Sequence, residues 1–423
     1  MNARRSLLLM TCAMGLAFTA RSAGATTVPF PLTPAPGHAT FSGTGVRAVL
    51  VHGDTIYVGG NFRVTEGGVT RNNLAAFDFD GHLKPGFSPE PEAPNGTVRA
   101  LATDGTSLFV GGTFSRMGLK KRLAAVDLVT GVVNRRFTAH LAGKLDPEVA
   151  TGVFALAVVT DHTVEPAVTR LVVGGNFTRV NAPSDNHAGL VALKVGTGDL
   201  DSDAFVDGVE GGPVSVLLAT ADRVYAGGAF TTVQGHSGSL VALSTSGVWQ
   251  PGTFSSGAQP VVSLDIDEAT NRLFAGVGGT GNRVQAYGVA GANNGRVLWR
   301  GPRAGGDVQA IHAMGGNVYF GFHDGLFNQP DPYKLAALDA ETGALEVDAA
   351  HAGLACSGLE DQVINCWLPT LDSTDGGQGF FGMWAIKHFL DPATGKARLV
   401  VGGEFTQIGG VANTRRLAIF QEP

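Results

Sequence analysis

Apolar residues return along this chain in short runs, broken by glycine-rich or polar turns, and the runs recur in a fixed order. The first run is Val46-Arg47-Ala48-Val49-Leu50, with copies at Val98, Val153, Val214, Val261, Val308 and Met383. A second run carries a glycine pair, near 55–60, 108–112, 171–175, 224–228, 273–276, 318–321 and 399–403. A third is of the type Leu74-Ala75-Ala76-Phe77, repeated at Leu123, Leu190, Leu240, Val284, Leu335 and Leu417. Tight turns such as Asp80-Gly81, Thr130-Gly131 and Thr342-Gly343 follow, supplying the positive φ of short hairpins. A fourth, outer strand is expected next, often ending in an aromatic: Phe87, Phe137, Phe205, Phe254 and Trp299. Apart from the N-terminus, no window carries an amphipathic helical period.

Strands repeating every ~50 residues predict an all-β fold, a seven-bladed β-propeller of four-stranded antiparallel blades. The last unit ends soon after its third run, at Gln421-Glu422-Pro423, and the first is preceded by His38-Ala39-Thr40-Phe41-Ser42. The expectation is that this N-terminal strand pairs with the C-terminal blade and closes the ring. The second run leads into Gly-Gly-x-Phe: Gly59-Gly60-Asn61-Phe62, Gly111-Gly112-Thr113-Phe114, Gly174-Gly175-Asn176-Phe177, Gly227-Gly228-Ala229-Phe230 and Gly402-Gly403-Glu404-Phe405. Paired glycines inside a strand signal a bulge or a close backbone approach. The phenylalanine is expected to turn inward and pack between blades. Phosphate cradling is disfavoured: no Lys-Ser/Thr or helix follows, and the pair recurs throughout.

The G-G-x-F motif, a glycine-containing hairpin and a (K/R)-x-L-A-x-x-D stretch together resemble the delta-60 repeat β-propellers, found mostly in bacterial secreted proteins. The pattern is more distantly similar to the kelch-like repeats of fungal cortical polarity marker proteins. The resemblance is carried by Gly59-Gly60-Asn61-Phe62 with Leu74-Ala75-Ala76-Phe77-Asp78 and their copies. It spans nearly the whole chain after the N-terminus, departs in the fifth and sixth units, and implies no catalytic residues.

Composition fits an all-β array: 61 of 423 residues are Gly and 16% are charged. Arg4 and Arg5 precede an apolar stretch, Leu7 to Ala20, and a small-residue site, Ala23-Gly24-Ala25. This reads as a signal peptide over residues 1–25, leaving one propeller domain over 26–423, secreted or periplasmic. Its removal takes away three arginines, Arg4, Arg5 and Arg21, and moves the net charge from −6 to −9. Nothing in that balance attracts nucleic acid or anionic lipid. No membrane anchor and no cofactor are expected, and the chain is read as a monomer. Cys356 and Cys366 form an even pair ten positions apart, most simply one disulfide in an exported chain.

Candidate chemistry gathers in a long insertion at 349–382, read as disulfide-stapled. It holds Trp367, Phe380, Phe381, His351, Asp372 and Asp375, as a binding loop or lid would. His140, His187, His236 and His323 fall in other loops without tight ligand spacing. Asp199, Asp201, Asp203, Asp207 and Glu210 match part of a calcium-loop register. Ala204 stands where that loop needs Gly, and the repeat places the acids on a strand. Asp78, Asp127 and Asp339 recur after the third run and read as turn formers. The functional expectation is a non-catalytic module binding a protein or polysaccharide outside the cell. The alternative is a secreted hydrolase or lyase acting on carbohydrate, with its site under the insertion.

Overall fold

Among the described residues of the computed structural model every regular element but one is a strand; the exception is a short 3-10 turn at Gly291–Asn293. The structure describes residues 32–181, 187–201, 204–205, 208–252, 254, 259–323, 334–346, 357–359, 362–364, 366–372 and 382–421. Residues 1–25, read from the sequence as a signal peptide, therefore lie outside the described residues. The fold is all-β, and none of its described helices is long and apolar enough to cross a membrane.

Seven antiparallel meanders follow one another, each built from an inner, a middle and a third strand. In the first these are Thr40–His52, Thr55–Glu66 and Val69–Phe77; in the second, Val98–Thr103, Ser107–Gly112 and Leu123–Asp127. The inner strands of the other five are Gly152–Asp161, Val214–Ala219, Val261–Asp267, Val308–Met314 and Met383–Leu390. All seven inner strands line one common bore.

The same irregularity sits in every inner strand. Val46 pairs with Gly60 and Ala48 with Gly59, so Arg47 is left without a partner across the ladder. Register breaks likewise over Arg99, Phe154, Ser215, Val262, Gln309 and Trp384. A bulge of this kind places two residues opposite one and turns the extra side chain out of the sheet's alternation. In five of the seven a glycine pair gives it room; Val277 and Phe322 take the second place in the other two. A β-carbon on Gly60 would lie 2.2 Å from the carbonyl oxygen of Gly45, and one on Gly112 2.1 Å from that of Thr97. With no side chain there, the next amide reaches the same carbonyl, as Thr113 N donates to Thr97 O at 3.0 Å.

The first glycine of each pair serves a different neighbour. A β-carbon on Gly59 would meet Val98 Cγ1 at 2.4 Å, one on Gly111 would meet Val153 Cγ1 at 2.5 Å, and one on Gly402 would meet Val46 Cγ1 at 2.4 Å. Each contact joins a meander to the next, and the last to the first. The apolar cores follow the same rule. One contains Ala100, Phe109 and Leu123 of the second meander with Val153, Leu171 and Phe177 of the third. Another joins Phe41, Val46 and Phe77 of the first to Phe389, Val400 and Leu417 of the last. No meander holds a core of its own. The motif phenylalanines Phe62, Phe114, Phe177, Phe230 and Phe405 are all buried in these shared layers, as the repeat implied.

Two expectations need correction. His38–Ser42 is not the outer strand of the last unit: Thr40 to Ser42 open the first inner strand and pair with Arg63 to Thr65. Thr33–Pro34 instead lies beside the last third strand, opposite Phe420 and Gln421. Regular outer strands are also fewer than expected. Trp249–Gln250 and Val297–Arg300 form them, whereas Leu83, Val133, Leu200 and Leu345 make single bridges. The aromatic ends the segment as an anchor instead: Phe87, Phe137, Phe205 and Phe254 are buried. One residue of pairing plus one buried ring covers the edge of the third strand.

The turn aspartates behave as expected. Oδ1 of Asp127 accepts from the Thr130 amide and hydroxyl, each at 2.7 Å, and Asp339 repeats the pattern with Thr342. A buried polar brace also ties the third meander to the fourth. Arg170 Nε donates to Asp201 at 2.7 Å, its Nη1 to Asp161 at 3.1 Å, and Thr245 Oγ1 donates to Asp161 at 3.1 Å.

The glycine–valine fit predicts that Gly111→Ala lowers stability by roughly 1–3 kcal/mol through overpacking. Adding Val153→Ala should recover part of that loss, so urea unfolding of the double variant should be clearly non-additive; simple additivity would contradict the fit. A second expectation concerns acid. The Thr163 hydroxyl and amide, then Thr245 and Arg170, hold the Asp161 carboxyl at about 2, below the usual ~3.9. Its stabilising contribution is thus complete above about pH 4 and fades as pH falls toward 2. Asp161→Asn should flatten that part of the stability–pH curve, and an unchanged slope would rule the assignment out.

Candidate functional site

The seven bulge residues form a ring at one level of the bore: Arg47, Arg99, Phe154, Ser215, Val262, Gln309 and Trp384. Together with Asp307 they surround a cavity of about 310 Å³. Each side chain is aimed there by the same bulge, which faces a glycine pair in five meanders, Gly276–Val277 at Val262 and Gly321–Phe322 at Gln309. The scaffold residues around it repeat; the bulge residue does not.

Arg47 is the best-held member. Its guanidinium pairs with Glu404, the variable residue of the last Gly-Gly-x-Phe, and lies 3.7 Å over the Trp384 ring. Burial and the adjacent Arg99 charge pull its pKa down to about 10, against the opposing effect of Glu404. Burial in turn raises the Glu404 carboxyl, although Arg47 and Arg416 oppose it.

Arg99 is arranged differently. It stands 5.0 Å over the Phe154 ring, and burial lowers its pKa. Among the described residues it has no carboxylate partner. Nearby, Gln309 Oε1 is buried without a protein hydrogen-bond partner, while Trp384 Nε1 misses good hydrogen-bond geometry but still lowers the Glu404 carboxyl. One is an acceptor and the other a donor. Asp307 brings an acid to the same cavity, with Oδ1 engaged by the Gly279 amide at 2.8 Å. Among the described residues the site therefore offers a cation without an acid partner, two aromatic faces and an unsatisfied amide acceptor.

The sequence-based candidates fall elsewhere. Trp367 is buried, edge-on to Tyr319 at 5.5 Å and to Phe420 at 6.0 Å; it is a core anchor rather than an open platform. Asp372 is exposed in a short bridge to Gln407–Ile408. The insertion is described only in part, by the hairpin Ser357–Leu359 with Gln362–Ile364 and by residues 366–372. His351, Cys356, Asp375, Phe380 and Phe381 lie outside the described residues, while Cys366 is buried. His140 is exposed, its amide held by Asn181 Oδ1 at 2.9 Å. His236 stacks on Trp249 with ring centres 3.7 Å apart.

The calcium register finds no support in the described residues. Asp201 is spent on Arg170, Asp199 accepts from Thr197 Oγ1 at 2.7 Å, and Glu210 accepts from Thr232. Asp203 and Asp207 lie outside the described residues. Among the described residues, no group of three metal-binding side chains converges.

Comparison with known proteins gives no family: no family model matches the chain, and no curated protein matches either. Solved structures do resemble it. The WD40 β-propeller domain of Doa1 is 12% identical, with a TM-score of 0.47, over 94% of this chain and 98% of that one. The computationally designed Ika8 protein is 14% identical, with a TM-score of 0.47, over 90% and 97%. Raptor from Chaetomium thermophilum is 10% identical, with a TM-score of 0.48, over 93% of this chain but 29% of Raptor. These are remote likenesses, and no functional argument is drawn from them.

The Arg47–Glu404 pair is checked by Glu404→Ala, which leaves the guanidinium beside Arg99 without its counter-charge. A loss of roughly 1–3 kcal/mol is expected, between the limits for exposed and buried pairs. Arg47→Ala in the Glu404→Ala background should then cost little; a full additional loss would show that the two do not act as a pair.

Proposed function

We propose that this chain is an exported seven-bladed β-propeller of the delta-60 type, and that its bore is a recognition site for acidic polysaccharide outside the cell. The seven meanders are the blades, and Thr33–Pro34 supplies the outer strand that joins the N-terminus to the last blade and closes the ring. Support for closure comes from the core shared by the first and last meanders and from the Gly402–Val46 contact. Export rests on the N-terminal sequence alone.

One observation carries the ligand class. Arg99 lacks an acid partner among the described residues, in a cavity where Gln309 Oε1 also lacks a protein partner and Trp384 Nε1 is only poorly aligned with Glu404. A complementary ligand brings negative charge together with both donors and acceptors. A uronic acid unit does so: its carboxylate meets the Arg99 guanidinium as a charge-assisted pair. Its hydroxyls suit the glutamine and the indole, and its apolar ring face suits Phe154. Neutral sugars offer no counter-charge, and a plain inorganic anion offers no donor to Gln309 Oε1.

Calorimetric titration of the full chain with oligogalacturonate tests the reading. Binding is expected for the acidic oligomer and not for a neutral glucan of equal length. Arg99→Ala should weaken it tenfold or more, about the 1.4 kcal/mol of a single charge-assisted contact. Unchanged affinity in Arg99→Ala, or no binding of any acidic glycan, would overturn the assignment and point to a protein partner.

A further inference from the structure

Three and four residues beyond the bulges, three inner strands bring a second set of groups together. Asp265 of Val261–Asp267 lies with Oδ2 2.7 Å from Nδ1 of His312 in Val308–Met314. The same oxygen accepts from the Ala313 amide at 2.8 Å. Nε2 of His312 lies 2.5 Å from Nδ1 of His388, in Met383–Leu390, with the two rings stacked at 4.8 Å. Asp265 and His312 are buried, whereas His388 is exposed. The Asp265–His312 approach is bent away from an ideal hydrogen bond, so that contact is chiefly electrostatic.

This chain orders the protons. Burial pushes the Asp265 carboxyl up, but His312 and the nearby Lys387 charge outweigh it and hold the group at about 2, ionised at neutral pH. Burial lowers both imidazoles, with Lys387 adding to the effect and Asp265 opposing it; for His388, His312 lowers it further. Both rings are therefore neutral near pH 7. A carboxylate only accepts, so the His312 proton sits on Nδ1, which makes its Nε2 an acceptor. The donor facing that acceptor is the Nδ1–H of His388. The lone pair of His388 is left on Nε2, the nitrogen that does not face His312.

We propose that His388 Nε2 is a nucleophile toward carboxylic esters, with Asp265 and His312 as the positioning residues of a proton relay behind it. The Nε2 lone pair attacks the ester carbonyl carbon; an N–C bond forms and the C–O bond to the leaving alcohol breaks, its oxygen departing with the electron pair. The His388 Nδ1 proton passes to His312 Nε2, so the acyl-imidazole is neutral and the new imidazolium faces the Asp265 carboxylate. Water then adds at the acyl carbon; its hydroxyl completes the carboxylic acid and its second proton goes to solvent. As the N–C bond breaks, the His312 proton returns to His388 Nδ1. The relay thereby removes the positive charge that would otherwise make the acylated ring revert. This activity is separate from recognition at the bulge ring and uses none of its residues.

The test is p-nitrophenolate release from p-nitrophenyl acetate by the full chain, with free imidazole as reference and the rate followed against pH. The full chain should exceed equimolar imidazole by about tenfold or more near neutral pH, in the range of positioned acid–base groups. His388→Gln, an exposed change that spares the core, should lose the excess. Asp265→Asn should lower the rate and move the apparent pKa of the pH profile. Nitrogen-detected NMR of the unmodified chain should show His388 as the Nδ1–H tautomer. A rate no faster than free imidazole, an unchanged rate in His388→Gln, or an Nε2–H tautomer would each overturn the proposal and leave the chain a brace between strands.

Discussion

A glycine facing a neighbour's valine is the contact on which the rest of this structure depends. Gly59 receives Val98, Gly111 receives Val153 and Gly402 receives Val46, each too close for a β-carbon. Sheets carrying side chains at those points would stand further apart, and the apolar layers between them would open. Because every core lies between two meanders, none of them can be stable alone. The contact is steric, so it demands glycine and no other residue. That is why the motif survives in five clear copies even where the residues around it drift.

The second glycine of each pair couples packing to function. It admits the backbone of the inner strand, which bulges at that point, and the bulge turns one side chain per meander toward the bore. Scaffold and site are thereby separated by one residue. Val46 and Ala48 are packing positions, buried between sheets, while Arg47 between them is directed elsewhere. Seven such positions hold two arginines, two aromatics, a glutamine, a serine and a valine. A repeat that keeps its frame and varies this one place can change its ligand without changing its fold.

Much of the frame was legible in the sequence, for physical reasons. Middle and third strands announce themselves as apolar runs buried on both faces, inner strands as apolar runs with one face open, and the turn aspartates as caps of tight hairpins. The motif phenylalanines were legible too, because a large apolar residue at a fixed offset has few places to go. Outer strands were overestimated, since a single bridge and a buried ring such as Phe87 leave the same trace as a strand. The N-terminal partner was misplaced by a few residues because Thr33–Pro34 is too short to carry a period. The bulge ring was missed for a specific reason: strand alternation assigns Arg47 and Arg99 to a sheet face, and only the register break reveals otherwise. The repeat did carry a signal, in that the residue after each leading Val (Met383 in the last unit) changes type, while the one after it is Ala in five of the seven units. The Asp265–His312–His388 chain leaves no local trace, because its histidines are 76 positions apart and meet only when two meanders pack.

Crystallography of the full chain grown with a short oligogalacturonate tests the central claim most directly. The account expects seven sheets around one bore, closed by Thr33–Pro34, with a uronate carboxylate against Arg99 at the level of the seven bulges. A different number of sheets, inner strands without the bulge, or the oligomer bound away from Arg99 would contradict it.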